Sequence, residues 1–178
     1  MHAEPLLLHR LGGTGNIRRF CHSFDPLVYI IPRMGIIAPM SEFKFFHPTE
    51  VRYGDLDPQG HVNNAKYLTY FEQARIYYLI QLGLFNKDQS FMEVGVIIAD
   101  IHITYHSTTH YGDPIKVGVK TTKIGNKSFT TEQCVMHAET GRIMASGTVV
   151  LVTFDYEGLK PIPVPPEWRQ KISEFEGL

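Results

Sequence analysis

The stretch AKYLTYFEQARIYYLIQLG, residues 65–83, limits the fold of this chain more than any other. Tyr67, Phe71, Ala74, Tyr78 and Leu82 recur at i, i+3/i+4, the spacing of one helix face, and Leu68 and Leu79 widen the stripe. Ile76, Tyr77 and Ile80 make the second half apolar nearly all round, and Gly83 supplies a C-terminal stop. A helix apolar on so many sides has to be enclosed rather than laid on a surface. The rest of the chain must wrap around it.

What remains is strand-like. FKFFHPTEVRY, from Phe43, reads as a strand in which Pro48 predicts an edge or a bulge. VGVIIADIHITYHS (94–107) is rich in β-branched residues. Strict alternation puts Ile97, Ala99, Ile101, Ile103 and Tyr105 on one face. The other face, Asp100, His102, Thr104 and His106, is turned away from the helix. PIKVGVKTTKI (114–124), SFTTEQCVMHAE (128–139) and RIMASGTVVLVTFD (142–155) follow, joined by the short connections GNK and TG. The last of the three is apolar on both faces, which places it inside the sheet. PVPPEWRQKISEFE predicts a closing turn and a short helix from near Pro165. The expected fold is α+β: a curled antiparallel sheet of about five strands around one long central helix.

The 178 residues suit a single domain, and 43% hydrophobic with 20% charged content is that of an ordinary globular chain. A net charge of −1 gives no general reason to expect nucleic acid as a partner. No apolar run approaches the roughly 20 residues of a membrane span. Cys21 and Cys134 form no CxxC pattern, which argues against a disulfide framework or zinc knuckle and for a reducing, cytoplasmic setting. Residues 1–40 differ from the rest. They carry Arg10, Arg18, Arg19 and Arg33 against Glu4 and Asp25, hold scattered Gly and Pro, and show no periodicity. They are expected to be a poorly ordered extension, read either from a start upstream of Met40 or as a targeting arm, with the folded domain over 41–178.

DLDPQGHVNN, residues 55–64, sits immediately before the apolar helix. Asp57-Pro58-Gln59-Gly60 is turn chemistry, and Asn63 or Asn64 suits an N-cap. That account leaves Asp57 and His61 over. A helix start carries about half a positive charge and outward N–H groups, so it can hold a developing oxyanion. A carboxylate looping back beside it would serve as nucleophile or general base. Pattern alone leaves cap and site both open.

VRYGDLDPQGHVNNAKYLTYFEQAR resembles the signature of the hotdog-fold acyl-CoA thioesterases, the group that includes 4-hydroxybenzoyl-CoA thioesterase. TYHSTTHYGDPIKV and KIGNKSFT resemble that family's strand-to-turn and hairpin segments, and the likeness runs from about Phe43 to about Phe154. It implies that Asp57 is the catalytic carboxylate and that the backbone N–H of Asn64 polarises the thioester carbonyl. It also implies an aromatic, Tyr67, near the acyl group. His61 and Asn63 stand where the hydroxybenzoyl type carries apolar and aromatic residues, which makes the chain look more like fatty-acyl members. The roles left to them are to orient water or Asp57, or to brace the turn with Gly60. The resemblance further implies an acyl-CoA substrate, a dimer or tetramer with sites at its interface, and no cofactor beyond the coenzyme A of the substrate.

Other residues are weighed singly. Glu72 and Arg75 fit an intrahelical pair, with Glu72 beside the site as the sharper reading. Asp55 is expected to be structural, exposed or bonded to local backbone. Phe71 extends the apolar acyl surface. His102, His106 and His110 are spaced by four, but in an extended segment same-face neighbours lie about 7 Å apart, so no metal is expected. Lys123 and Lys127, near Lys120 and Arg142, fit either a solvated hairpin tip or contacts to coenzyme A phosphates, with Ser128 running beside pantetheine. Two rivals share the fold: a non-catalytic acyl-CoA-binding protein, which would not need Asp57, and a dehydratase, whose His-bearing P-G motif is absent.

Overall fold

A computed structural model describes residues 43–85 and 95–178. The expectation for residues 1–40 and the polar loop NKDQS both lie outside the described residues. Six strands and two helices follow in the order β1 (Phe45–Glu50), α1 (Asn64–Gln81), β2 (Gly95–Tyr105), β3 (Pro114–Ile124), β4 (Ser128–His137), β5 (Ile143–Asp155), β6 (Lys160–Pro161) and α2 (Pro166–Glu176). The sheet order is β1-β3-β4-β5-β2, antiparallel throughout, with β6 a short addition to β5. This is the hotdog arrangement. β1 is an edge strand, which is where Pro48 costs no ladder bond, and β5 is flanked on both sides, as its two apolar faces require.

Alternate residues of the inner strands, among them Val117, Val119, Phe129, Val135, Ala145, Val149 and Leu151, meet Tyr67, Phe71, Ala74, Tyr78 and Leu79 of α1 in one buried cluster. Gly147 lies among them, and a Cβ there would collide with the His102 carbonyl oxygen and stand 3.0 Å from the Phe71 ring. Glycine at this position lets β5, β2 and α1 approach closely. α1 ends as expected, with Gly83 at φ 64°.

Two expectations need correction. The helix is not enclosed all round within the described chain: Leu68 and Tyr77, at opposite margins of the uncovered side, are 38% and 39% exposed, and Thr69, Glu72, Gln73 and Gln81 are exposed as well. One side of α1 fills the curl of the sheet and the other is open. In β2, strict alternation fails. The register passes from Ile98↔Leu151 to Asp100↔Val150, leaving Ala99 as an extra, unpaired residue. Such a bulge reverses the faces beyond it. Ile98, not Ile97, therefore shares the inner face with Ile101 and Ile103, while Asp100, His102 and Thr104 do face away.

α2 closes one end of the core. Glu176 Oε1 accepts the Tyr78 hydroxyl at 2.6 Å and Thr121 N–H at 3.0 Å, and Trp168 packs against Phe85. Burial, then the Glu176 carboxylate, pushes the Tyr78 phenol far above its ordinary value of 10. The unfolded chain loses this proton near pH 10 and the folded chain keeps it, so stability must fall as pH rises above 10. The limiting slope is about 1.4 kcal/mol per pH unit. Denaturant midpoints of the wild type should drop between pH of about 9 and about 11, and Tyr78→Phe should make that drop shallower, the raised phenols of Tyr67 and Tyr70 supplying the rest.

Candidate active site

The loop ahead of α1 is tied by its own backbone. Asp57 N–H donates to the His61 carbonyl at 2.8 Å, Gly60 N–H donates to the Asp57 carbonyl at 3.0 Å, and Gly60 turns the chain at φ 79°. Leu56 pairs with Val62 in an isolated bridge that closes the loop at its base. The Asp57 carboxylate is drawn inward: its Oδ1 accepts Gln59 N–H at 2.9 Å and His61 N–H at 3.3 Å. With its side-chain amide turned to donate, Gln59 Nε2 also lies 3.0 and 3.1 Å from the two carboxylate oxygens. These donors hold Asp57 in one orientation, half-buried.

Asn63 is the N-cap. Its side chain accepts Ala65 N–H at 2.9 Å and its carbonyl accepts Lys66 N–H at 2.9 Å. The Asn64 N–H has no acceptor among the described residues. Asn64 lines the same cleft as Asp57. The cleft, about 360 Å³, is lined by Asp57, His61, Val62, Asn64, Tyr67 and the end of β2 with its following loop, Tyr105 to Thr108.

The walls of the cleft are fixed by contacts far apart in sequence. Tyr67 OH donates to Thr109 Oγ1 at 2.9 Å, and burial raises the Tyr67 phenol above its ordinary value despite that bond. Tyr105 OH donates to the Asn64 carbonyl at 3.1 Å, and its ring stands edge-on to Tyr67 with centroids 5.3 Å apart. The fully buried Thr109 also accepts Val62 N–H through its carbonyl at 2.8 Å. His61 packs against His110 at 5.1 Å, their backbones bridged, and His110 N–H donates to Asp113 Oδ2 at 2.9 Å. His106 bonds Ser146 Oγ at 2.8 Å through Nε2, and burial lowers the His106 pKa.

Of the residues singled out in the sequence, Asp57, His61, Asn64 and Tyr67 meet at this cleft, and Gly60 and Asn63 shape the loop and cap behind it. Phe71 does not line it; that ring is buried in the core. Glu72 is on the open flank of α1 and acts on the buried Arg75 through its field, against the burial that lowers the Arg75 pKa. Lys123, Lys127 and Ser128 lie on the β3–β4 hairpin, away from the cleft of their own chain; Lys127 Nζ donates to the Pro161 carbonyl at 3.1 Å. Asp55 is buried rather than exposed, and bonded to local backbone through Arg52 N–H, the second of the two expected placements. Sequence reading missed Gln59, Tyr105 and Thr109. The QG of the turn was a signal for the first; the other two lie in TYHSTTHYGDPIKV, the segment that resembles the family's strand-to-turn stretch, but nothing in it assigned them to the cleft.

Among the described residues no group of three or more His, Cys, Asp or Glu is arranged to hold a metal, and no helix is long and apolar enough to cross a membrane.

A family model described as the thioesterase-like superfamily matches residues 51–172. The long-chain acyl-CoA thioesterase FadM of Escherichia coli (strain K12) is 27% identical over 131 residues, 71% of this chain and 95% of that protein. The acyl-CoA thioesterase YbgC of Haemophilus influenzae is 27% identical over 126 residues, 69% and 90% of the two chains. A thioesterase from Thermus thermophilus, solved with coenzyme A and Zn, is 35% identical with a TM-score of 0.67, over 78% of this chain and 98% of that one.

Proposed function

Because the chain belongs to the thioesterase-like superfamily, we propose that it hydrolyses acyl-CoA thioesters to the free acid and coenzyme A. The observation that carries this reading is the meeting of two groups in one cleft: an oriented carboxylate, Asp57, and the unpaired N–H of Asn64 at the start of α1. The thioester carbonyl oxygen accepts the Asn64 N–H, whose dipole is already aimed where negative charge develops. Asp57 then either attacks the carbonyl carbon, giving a mixed anhydride that water hydrolyses to the acid and free Asp57, or takes a proton from a water that itself attacks the carbonyl carbon. The thiolate of coenzyme A leaves without help from a further cofactor. Thiol release over a panel of acyl-CoAs tests the activity; binding of acyl-CoA with no release at any chain length would leave the non-catalytic rival standing. A single turnover in ¹⁸O water separates the two routes. Label found in Asp57 requires the anhydride, opened by water at its aspartyl carbon; label found only in the acid fits the base route, and trapping of an acylated Asp57 then excludes or restores the nucleophilic one.

The same reading includes self-association, as a dimer or as a tetramer of such pairs. Support comes from β2, a terminal strand whose outer edge is unpaired among the described residues and which exposes Ile97, Ile98 and Tyr105. An edge of that kind is a template for a second copy. Joining two β2 edges would bring a partner to the open side of the cleft at Tyr105. The hairpin carrying Lys123, Lys127 and Ser128 would then reach the phosphates and pantetheine of coenzyme A bound across the pair. A charge on the edge should break this: Ile98→Lys is expected to elute as a monomer and to lose about tenfold or more in thiol release. An unaltered dimer by light scattering would place the interface elsewhere. A cytoplasmic setting completes the proposal, in keeping with a free, buried Cys134.

A further inference from the structure

We infer that Asp55 is a positioning residue, whose buried carboxylate anchors the loop carrying Asp57 against the first turns of α1 and so sets Asp57 relative to the Asn64 N–H. The inference rests on the proposed pairing of Asp57 with Asn64. Asp55 is only 8% exposed, which for a carboxylate demands partners. Its Oδ2 accepts two bonds, from Arg52 N–H at 3.0 Å and from Tyr70 OH at 2.9 Å. Its Oδ1 faces Lys66 Nζ at 3.6 Å, and its main-chain carbonyl accepts Asn63 N–H at 2.8 Å. Tyr70 and Lys66 belong to α1 and Asn63 is its cap, while Arg52 belongs to the incoming chain. One residue therefore joins the entry of the loop to the helix at three points.

Both reacting groups are within two residues of these attachments: Asp57 follows Asp55 by two, and Asn64 follows Asn63 directly. Asp55 itself is absent from the lining of the Asp57 cleft and instead lines a separate hollow of about 230 Å³ with Thr49, Thr69, Tyr70 and Gln73. It acts through the loop and not on substrate. Tyr70 is suited to its part, since burial and then the Asp55 carboxylate both hold its phenol in the protonated, donating form.

The accepted bonds, more than the charge, are what the geometry needs. Asp55→Ala leaves Arg52 N–H and Tyr70 OH without an acceptor. Asp55→Asn can set its amide oxygen in the place of Oδ2 and keep both bonds. Asp55→Ala is expected to lower kcat about tenfold or more with KM within about threefold of wild type. Asp55→Asn should stay within about threefold in kcat, with Tyr70→Phe between the two. In hydrogen–deuterium exchange, Asp55→Ala and Tyr70→Phe should speed the amides of residues 57–65 and leave those of β3 and β5 unchanged. Wild-type kcat and exchange in folded Asp55→Ala would overturn the inference. So would Asp55→Asn as slow as Asp55→Ala, or exchange raised equally across the sheet, which marks a general stabiliser. If Asp55→Ala fails to fold, Tyr70→Phe carries the same two readouts. Should Asp57→Asn retain full turnover, the proposed chemistry fails, while exchange over residues 57–65 still decides whether Asp55 anchors the loop.

Discussion

Asp57→Asn is expected to cut thioester turnover by about 10²–10⁴-fold, with KM changed by no more than about threefold. The asparagine is nearly the same size, and its oxygen can still accept Gln59 N–H and His61 N–H, the bonds that orient the carboxylate. The loop should therefore keep its shape, and stability should move by no more than about 1 kcal/mol. What is lost is a group that can take a proton or attack a carbonyl. The Asn64 N–H survives the substitution and should still polarise the thioester, so a residual rate above the uncatalysed one is expected. Removing about three decades of rate corresponds to about 4 kcal/mol of transition-state stabilisation. Stopped thiol release at saturating acyl-CoA, compared with the thermal midpoint of the same preparation, checks both halves. A folded Asp57→Asn enzyme with wild-type turnover would remove Asp57 from the chemistry and leave the family assignment intact.

The contrast between what the sequence disclosed and what it concealed follows from the range of the interactions involved. Asn63 as cap, Gly60 in its turn, Gly83 at the helix end and Pro48 on an edge strand are local requirements of the backbone, and each leaves its mark within a few residues. The Ala99 bulge leaves none: Val-Ile-Ile-Ala is apolar at every position, so alternation cannot report which residue was inserted. Contacts that finish the cleft, Tyr67 to Thr109 and Tyr105 to Asn64, join positions 42 and 41 residues apart. They depend on the curl of the sheet, which no short window contains. The exposed flank of α1 misled for a related reason. Leu68 and Tyr77 are apolar enough to suggest enclosure, yet among the described residues the sheet covers one side of the helix and leaves both partly exposed. Asp55 shows the same limit in reverse, since a carboxylate beside a turn looks solvated until Tyr70 is folded over it.

Phe71→Ala is expected to lower the free energy of unfolding by about 3–5 kcal/mol. The ring is 1% exposed and rests on Gly147, with its Cε2 standing 3.0 Å from the place a Cβ would take there. Its neighbours cannot move in to fill the space. Gly147 has no side chain, Ala74 and Ala145 are small, and the β5 backbone is held by ladders to β4 and β2. Relaxation is the only relief a cavity has, so a site that cannot collapse lies at the costly end of the range. A domain of this size holds about 5–15 kcal/mol in all, and the variant should therefore be folded only marginally at about 37 °C. Phe71→Leu keeps most of the volume and should cost about half as much or less. Urea midpoints at constant slope measure both. The same proteins separate two roles for the ring. Because Phe71 does not line the Asp57 cleft, folded Phe71→Leu should keep the wild-type order of acyl-CoA preference; a reordered preference would return Phe71 to the acyl site and move the cleft deeper under α1 than Tyr67.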